Sequence, residues 1–315
     1  MPWVIGIDEA GYGPNLGPLV QAAVSLKLPD GDTAGWQTLG SVVRRTHEEA
    51  DHRLLIDDSK KVYSLSGLEA LEQGVRAALT FLDATIGDLV DKTGLPGVRE
   101  ELAQEAWYEA DEAAPVLAEP ETILAAIAAL SENQPDGTTF GTPAVAIVPT
   151  PRFNRICTET GTKATVLSRG LIELIPTVLA ALQSDGEPVA ILCDKHGGRN
   201  YYGAMVQEAF PDGWVFAEKE SAEESRYRVE LLERPIKVVF RPRADGDSVA
   251  VALASMLCKY LREVSMRQFN RFWLKHVPGL APTAGYPGDA ARFYAAIKPA
   301  MKKLGLSEER VWRKR

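Results

Sequence analysis

Two adjacent carboxylates, Asp8 and Glu9, follow an apolar run near the start of the chain and could bind a metal ion. The run at residues 3–7 has the composition of a buried strand, and the sequence from Gly11 to Pro14 breaks that pattern. Hard divalent cations such as Mg²⁺ bind carboxylate oxygens. The alternative is a strand end with two solvated acids. Further acids from elsewhere in the chain are needed to decide between these interpretations.

The two side chains can serve one site only if the strand loses its pleat. Neighbouring residues of a strand point to opposite faces, so Asp8 and Glu9 diverge while the pleat continues. Gly11, Gly13 and Pro14 follow closely. We therefore predict that the strand breaks at about Glu9.

Further acids occupy the ends of two other predicted elements. A buried strand is predicted to end at Asp194, and Asp245 and Asp247 precede a long predicted helix, for which Asp247 is the expected N-cap. Strand ends and helix starts collect at one edge of an α/β sheet, so these acids can converge with Asp8 and Glu9. Four converging carboxylates could hold two divalent ions about 4 Å apart, an arrangement that supports phosphodiester hydrolysis.

The composition restricts the class of protein. The 315 residues are long enough for one large domain or two, and 45% of them are hydrophobic, as in ordinary globular proteins. No apolar run approaches the roughly 20 residues needed to cross a bilayer, and no basic segment followed by an apolar one opens the chain. We therefore expect a cytoplasmic protein that does not contact a membrane.

Cysteine, histidine and charge exclude several kinds of site. The three cysteines are widely spaced and the chain has four histidines, which indicates neither a disulfide framework nor a zinc site. The net charge of −8 argues against nucleic-acid binding through bulk charge. The sequence from Lys259 onward is nevertheless rich in Lys and Arg, so a local basic surface is compatible with this total.

The periodicity predicts alternating strands and helices, interrupted by one helical segment. A second strand at 19–28 is expected to pair with the first, and residues 88–142 form the expected insertion. Further strands are predicted at 144–149, 188–194, 214–217, 227–231 and 236–240, and helices at about 66–82, 162–183, 201–210 and 248–272.

Five segments, in this order, resemble the motifs of the type 2 ribonucleases H, that is, ribonuclease HII and its relatives. They are Ile5-Gly6-Ile7-Asp8-Glu9-Ala10-Gly11 with Gly13-Pro14, Asp58-Ser59-Lys60-Lys61, Ile191-Leu192-Cys193-Asp194, Arg243-Ala244-Asp245 with the helix residues that follow, and Gly285-Tyr286-Pro287. Five motifs in the family's order are more specific than any one of them.

The resemblance implies a ribonuclease H-like α/β fold with a mixed central sheet between helices. The catalytic domain would comprise residues 1–87 and 143–272. Residues 88–142 would be the mostly helical insertion and residues 273–315 a C-terminal helical region.

The resemblance also implies an activity and a set of site residues. The family cleaves RNA in RNA/DNA hybrids, or at ribonucleotides in duplex DNA, with two Mg²⁺ or Mn²⁺ ions. Catalytic, metal-binding positions correspond to Asp8, Glu9, Asp194 and Asp245, with Asp247 as the alternative fourth ligand. The implied substrate-binding residues are Gly11, Tyr12, Gly13, Ser59, Lys60 and Tyr286.

Tyr12 departs from the family pattern, which has an arginine between the two glycines. An arginine can bind phosphate through paired hydrogen bonds, and tyrosine cannot. This leaves two alternatives open: a nuclease of the same fold that acts on DNA or structured nucleic acid, and a non-catalytic homologue that binds nucleic acid.

Overall fold

The computed structural model describes residues 2–29, 31–46, 51–183 and 185–314. Arg315, the last residue of the predicted C-terminal region, lies outside these residues. The strands are β1 Trp3–Ala10, β2 Leu19–Lys27, β3 Val43–Arg44, β4 Leu54–Leu55, β5 Thr139–Phe140, β6 Ala144–Val148, β7 Val189–Asp194, β8 Trp214–Glu220, β9 Ser225–Glu230 and β10 Ile236–Arg241. The helices are α1 Ser59–Ala78, α2 Ile86–Thr93, α3 Val98–Leu102, α4 Pro120–Asn133, α5 Thr150–Thr160, α6 Ala164–Ala180, α7 Gly203–Ala209, α8 Ala244–Asp247, α9 Val249–His276, α10 Pro287–Leu304 and α11 Glu308–Val311.

A mixed sheet forms the centre of the described chain. Its strand order is β5-β2-β1-β7-β10-β9-β8, with β6 paired to β2. The central strands β1, β7 and β10 are parallel to one another, while β2 and β9 run antiparallel to their neighbours. The predicted α/β class with a mixed sheet is confirmed, as is the pairing of the first two strands.

Helices cover both faces of the sheet. Gly6 in β1 faces α9, because a Cβ there would overlap the backbone of Ala250 and Val251. Gln21 in β2 points to the opposite face, where its amide donates to the carbonyl of Leu167 in α6 at 3.2 Å. The absence of a side chain at Gly6 thus brings the backbone of α9 directly onto the strand that carries the acidic pair.

One predicted helix start agrees with a kink in the structure, and another differs. α1 begins at Ser59, where the Asp58 carboxylate caps it by accepting from the Lys60 N–H at 2.8 Å. Gly67 has a non-helical backbone with a φ of 72°, so the part of α1 that follows this kink begins close to the predicted residue 66. The prediction of Asp247 as the N-cap of the long helix is wrong. Asp247 is the last residue of α8, and Ser248 stands at the N-cap of α9.

The 88–142 segment is continuous with neighbouring structure both at its start and near its end. It contains α3 and α4, while α2 begins two residues earlier, and β5 joins the sheet through the Leu26–Phe140 and Lys27–Thr139 pairs. The division into a catalytic domain, an insertion and a C-terminal region stays a prediction. No helix among the described residues is long and apolar enough to cross a membrane.

Candidate active site

Asp8 and Asp194 lie side by side at the carboxyl ends of two parallel strands. The last registered pair between β1 and β7 is Ile7 with Cys193, and each is followed directly by its aspartate. Asp194 pairs on its other side with Arg241, the last residue of β10. The register therefore brings two sequence-predicted acids to the same edge of the sheet.

Asp245 reaches this edge because the chain turns sharply after β10. Arg243 has a left-handed backbone with a φ of 61°, and α8 begins at the next residue. The Ala244 N–H donates to a carboxylate oxygen of Asp194 at 3.4 Å. Asp247 is exposed, and its carboxylate lies 4.0 Å from the guanidinium of Arg241. Asp245, rather than Asp247, is thus beside Asp194.

Burial and neighbouring acids raise the pKa values of Asp8, Glu9 and Asp245. Burial raises the pKa of Asp8 to about 7, and the charges of Asp194 and Asp245 act in the same direction. Burial, with the charges of Asp8 and Asp194, raises the pKa of Glu9 to about 8. The pKa of Asp245 is raised by burial and by the charges of Asp58 and Asp194. This mutual effect places the carboxylates in one electrostatic cluster, which we call the acid cluster: Asp8, Glu9, Asp194 and Asp245.

The predicted loss of the pleat at Glu9 is wrong. β1 stays paired with β2 as far as Ala10 and Val20, and the break comes at Gly11, whose φ is 90°. Asp8 therefore points to the α9 face, where Ser255 lowers its pKa, and Glu9 starts from the other side of the pleat. The charges of Asp8 and Asp194 nevertheless act on Glu9. The two adjacent acids thus share one electrostatic site although the pleat is kept. Within the described ranges, no group of three or more His, Cys, Asp or Glu side chains is arranged to hold a metal ion.

The donor chemistry of the acid cluster nevertheless fits a hard divalent cation. All four side chains offer carboxylate oxygens, the ligands that Mg²⁺ and Mn²⁺ prefer. The raised pKa values of Asp8, Glu9 and Asp245 reflect burial and the charges of neighbouring acids, which a bound cation offsets.

The start of α1 brings one predicted substrate-binding residue to the cluster and buries another. Lys60 is exposed, and its charge acts on both Glu9 and Asp245. Ser59 is only 5% exposed, and its hydroxyl is hydrogen-bonded to that of Ser255 at 2.9 Å. Lys60 is thus available to a ligand, while Ser59 contributes to the support behind Asp8.

Tyr12 and Lys163, for which the sequence predicted no role, form a second edge of the site. Tyr12 is half-buried, and its pKa is raised by burial and by the charge of Glu9. The ammonium of Lys163 lies 4.5 Å from the centre of the Tyr12 ring, a cation–π contact. Lys163 precedes α6, and the only signal for it in the sequence is the polar Gly161-Thr162-Lys163 turn.

Tyr286 is 49% exposed. Tyr286 and Gly11 both lie next to the side chain of Arg262. The guanidinium carbon of Arg262 is 5.7 Å from the centre of the Tyr286 ring. The same arginine side chain fills the space where a Cβ on Gly11 would stand. Gly13 is exposed, with nothing within 4 Å of a Cβ there. Gly11 and Tyr286 are therefore both next to Arg262, while the backbone of Gly13 is open to solvent.

Arg241 and Arg243, which lie on the approach to Asp245, do not belong to one extended segment. Arg241 forms an ion pair with Glu224 at 2.6 Å, and the left-handed backbone of Arg243 ends the extended segment. The loop after Asp194 is likewise packed inward: Lys195 donates to Asn200 and Ser221, and burial lowers the pKa of His196 to about 4.

Comparison with solved structures finds ribonucleases of the group that the motifs resemble. The chain is similar to RNase HII in its complex with PCNA from Archaeoglobus fulgidus (16% identity, TM-score 0.43, covering 99% of this chain and 94% of that one). It is also similar to ribonuclease H2 from Pyrococcus horikoshii OT3 (15%, 0.41, 98% and 92%) and to Bst-RNase HIII in complex with Mn²⁺ (18%, 0.41, 99% and 66%). No family model and no curated protein matches the chain. At these identities and TM-scores, a function has to be argued from the chain's own residues.

Proposed function

We propose that the protein is a divalent-metal-dependent endonuclease that hydrolyses phosphodiester bonds of RNA in RNA/DNA hybrids, or at ribonucleotides in duplex DNA. The observation that carries the proposal is the acid cluster, in which carboxylates from β1, β7 and α8 lie at one edge of the sheet and the charge of Asp194 contributes to the raised pKa of Asp8 and Asp245. Charged groups held this close in a partly buried site are typical of functional sites. We expect the reaction to take place in the cytoplasm.

Each acid has a role that follows from its position. Asp8, Glu9, Asp194 and Asp245 would hold two Mg²⁺ or Mn²⁺ ions, which when bound supply the positive charge that activates an attacking water and stabilises the leaving oxygen. Ser255 favours the charged form of Asp8, and the Ala244 N–H donates to the Asp194 carboxylate. These contacts limit the rotation of both side chains before the substrate arrives.

The cations and rings around the acid cluster suit a nucleic-acid strand. The exposed ammonium of Lys60 binds a phosphate next to the bond to be cut. Lys163 provides a second cation, whose position is set by the ring of Tyr12. The exposed ring of Tyr286 packs against a sugar, and the open backbone at Gly13 permits close approach of the 2′-hydroxyl that distinguishes RNA from DNA.

A second candidate is a nuclease of this fold that cuts DNA or structured nucleic acid, and a third is a non-catalytic homologue. The observation that favours the second candidate is Tyr12. Its contact with Lys163 provides a single ammonium for strand binding at a place where the resembled family has the forked guanidinium of an arginine. The third requires the acid cluster to persist without a bound cation, although its carboxylates repel one another.

The experiment that tests the proposal is the cleavage of four labelled duplexes of about 20 base pairs in Mg²⁺ or Mn²⁺: an RNA/DNA hybrid, DNA with one ribonucleotide, DNA and RNA. Wild type is expected to cut the hybrid or the single-ribonucleotide duplex, and Asp8→Asn to abolish the cut, because the substitution removes a metal-binding charge. Cleavage of DNA or RNA duplexes alone would favour the second candidate. No cleavage of any duplex would favour the third.

A further inference from the structure

Arg313, near the C-terminus, is buried beneath the loop that carries Tyr12. Its side chain is 1% exposed. One terminal guanidinium nitrogen, Nη1, donates to the carbonyl of Gly11 at 2.7 Å and to that of Gly17 at 3.2 Å, and the second, Nη2, donates to the carbonyl of Tyr12 at 3.0 Å. A single side chain thus holds three carbonyls of the 11–17 loop.

The guanidinium is itself fixed by packing and by its backbone. Its central carbon lies 4.1 Å from the centre of the Phe153 ring. The Arg313 N–H donates to the carbonyl of Asn15 at 2.8 Å. Its neighbours are tied to α5 through Asn154, whose amide donates to the carbonyls of Glu309 and Trp312 and whose oxygen accepts from the Lys314 N–H at 2.7 Å.

The opposite side of the same loop is closed by other residues. The side chain of Arg262 fills the space next to Gly11. The carbonyl of Gly285 accepts from the N–H groups of Asn15 and Leu16. The loop is therefore held between the C-terminal segment and the Tyr286 turn. Of these two, the C-terminal segment contacts the Tyr12 carbonyl, through the charged side chain of Arg313, which also donates to Gly11 and Gly17.

We infer that Arg313 is a positioning residue for substrate binding, which sets the backbone of Gly11 and Tyr12 and thereby the Tyr12 ring and its Lys163 contact. This inference rests on the proposed function. Arginine suits the task because its planar fork donates in several fixed directions at once, which a lysine ammonium on a flexible stem cannot reproduce. The substrate class concerned is the nucleic-acid duplex that the acid cluster acts on.

The test compares Arg313→Gln and Arg313→Lys with Lys314→Gln, a change at the exposed neighbour. Hybrid cleavage is measured well below each variant's melting temperature. Arg313→Gln is expected to raise KM about tenfold while kcat stays within about threefold of wild type, because binding contacts are displaced and the acid cluster is not. The KM of Arg313→Lys is expected to lie between those of wild type and Arg313→Gln, and the KM of Lys314→Gln is expected to match that of wild type.

A second readout does not depend on activity. The nine tyrosines are labelled with 3-fluorotyrosine, and the Tyr12 ¹⁹F signal is assigned by its loss in Tyr12→Phe. Arg313→Gln and Arg313→Lys are expected to shift or broaden that signal, and Lys314→Gln to leave it unchanged. A shift in a protein that cuts no duplex would uphold the positioning of Tyr12 and reject the proposed function.

An unchanged Tyr12 signal in both Arg313 variants would overturn the inference. So would a KM within twofold of wild type in a protein that cleaves the hybrid. If Arg313→Gln does not fold, Arg313→Lys decides alone, because it keeps a cation at the same place and loses only the forked geometry.

Discussion

Asp194→Asn is expected to lower the single-turnover rate of hybrid cleavage by at least about a thousandfold. Asp194 stands between Asp8 on one side and Asp245 on the other, so it is the central acid of the cluster. Asparagine keeps the shape and the hydrogen bond from the Ala244 N–H but removes the negative charge. The rate constant at saturating substrate, in Mg²⁺ and in Mn²⁺, measures the effect.

Asp247→Asn is the matched control for this change. Asp247 follows Asp245 by two residues but is exposed and faces Arg241. The single-turnover rate of hybrid cleavage by Asp247→Asn is expected to stay within about threefold of the wild-type rate. Equal losses in Asp194→Asn and Asp247→Asn would show that net charge at this edge, rather than the acid cluster, governs the activity.

Glu72→Leu is expected to lower the free energy of unfolding by about 3–5 kcal/mol. Glu72 is fully buried in α1, and its carboxylate accepts from the N–H groups of Val116, Leu117 and Ala118 at 2.6–2.8 Å and from the Tyr260 hydroxyl at 2.7 Å. Leucine removes the acceptor of all four donors and leaves the Ala118 N–H and the Tyr260 hydroxyl buried without it. Urea denaturation followed by circular dichroism measures the change.

The control for Glu72 is Glu69→Leu, on the exposed side of the same helix. Its free energy of unfolding is expected to change by less than about 0.5 kcal/mol. A loss below 1 kcal/mol in Glu72→Leu would mean that the 116–118 backbone finds other partners and that Glu72 does not attach this segment to the core.

The sequence was sufficient to predict the elements of the sheet and the acids at their ends. Periodicity located β2, β7 and β10 to within a few residues, and strand endings located Asp8 and Asp194. These features can be read from short segments of the sequence. A parallel strand that is buried on both faces requires a run of apolar residues, and an acid is tolerated only where the strand ends. The convergence of the acids depends on register, which the structure supplies.

The features that the sequence did not predict all depend on contacts between distant residues. The contact of Lys163 with Tyr12, the pairing of Arg241 with Glu224 and the position of Arg313 beneath Tyr12 join separate elements. The strand end was misplaced because glycines after Glu9 indicate a break without locating it, whereas the ladder with β2 continues to Ala10. No local sequence pattern predicts these contacts or the exact residue at which the strand ends.

The binding of Mn²⁺, measured by titration calorimetry without nucleic acid, tests most directly whether the acid cluster is a divalent-cation site. The raised pKa values of Asp8 and Glu9, about 7 and about 8, mean that the ion displaces protons as it binds near neutral pH. The association constant is therefore expected to rise about tenfold or more from pH 6.5 to pH 8, to fall sharply in Asp8→Asn and to persist in Asp247→Asn. Equal binding by wild type and Asp8→Asn, or no binding by wild type at pH 8, would show that the acid cluster is not a divalent-cation site.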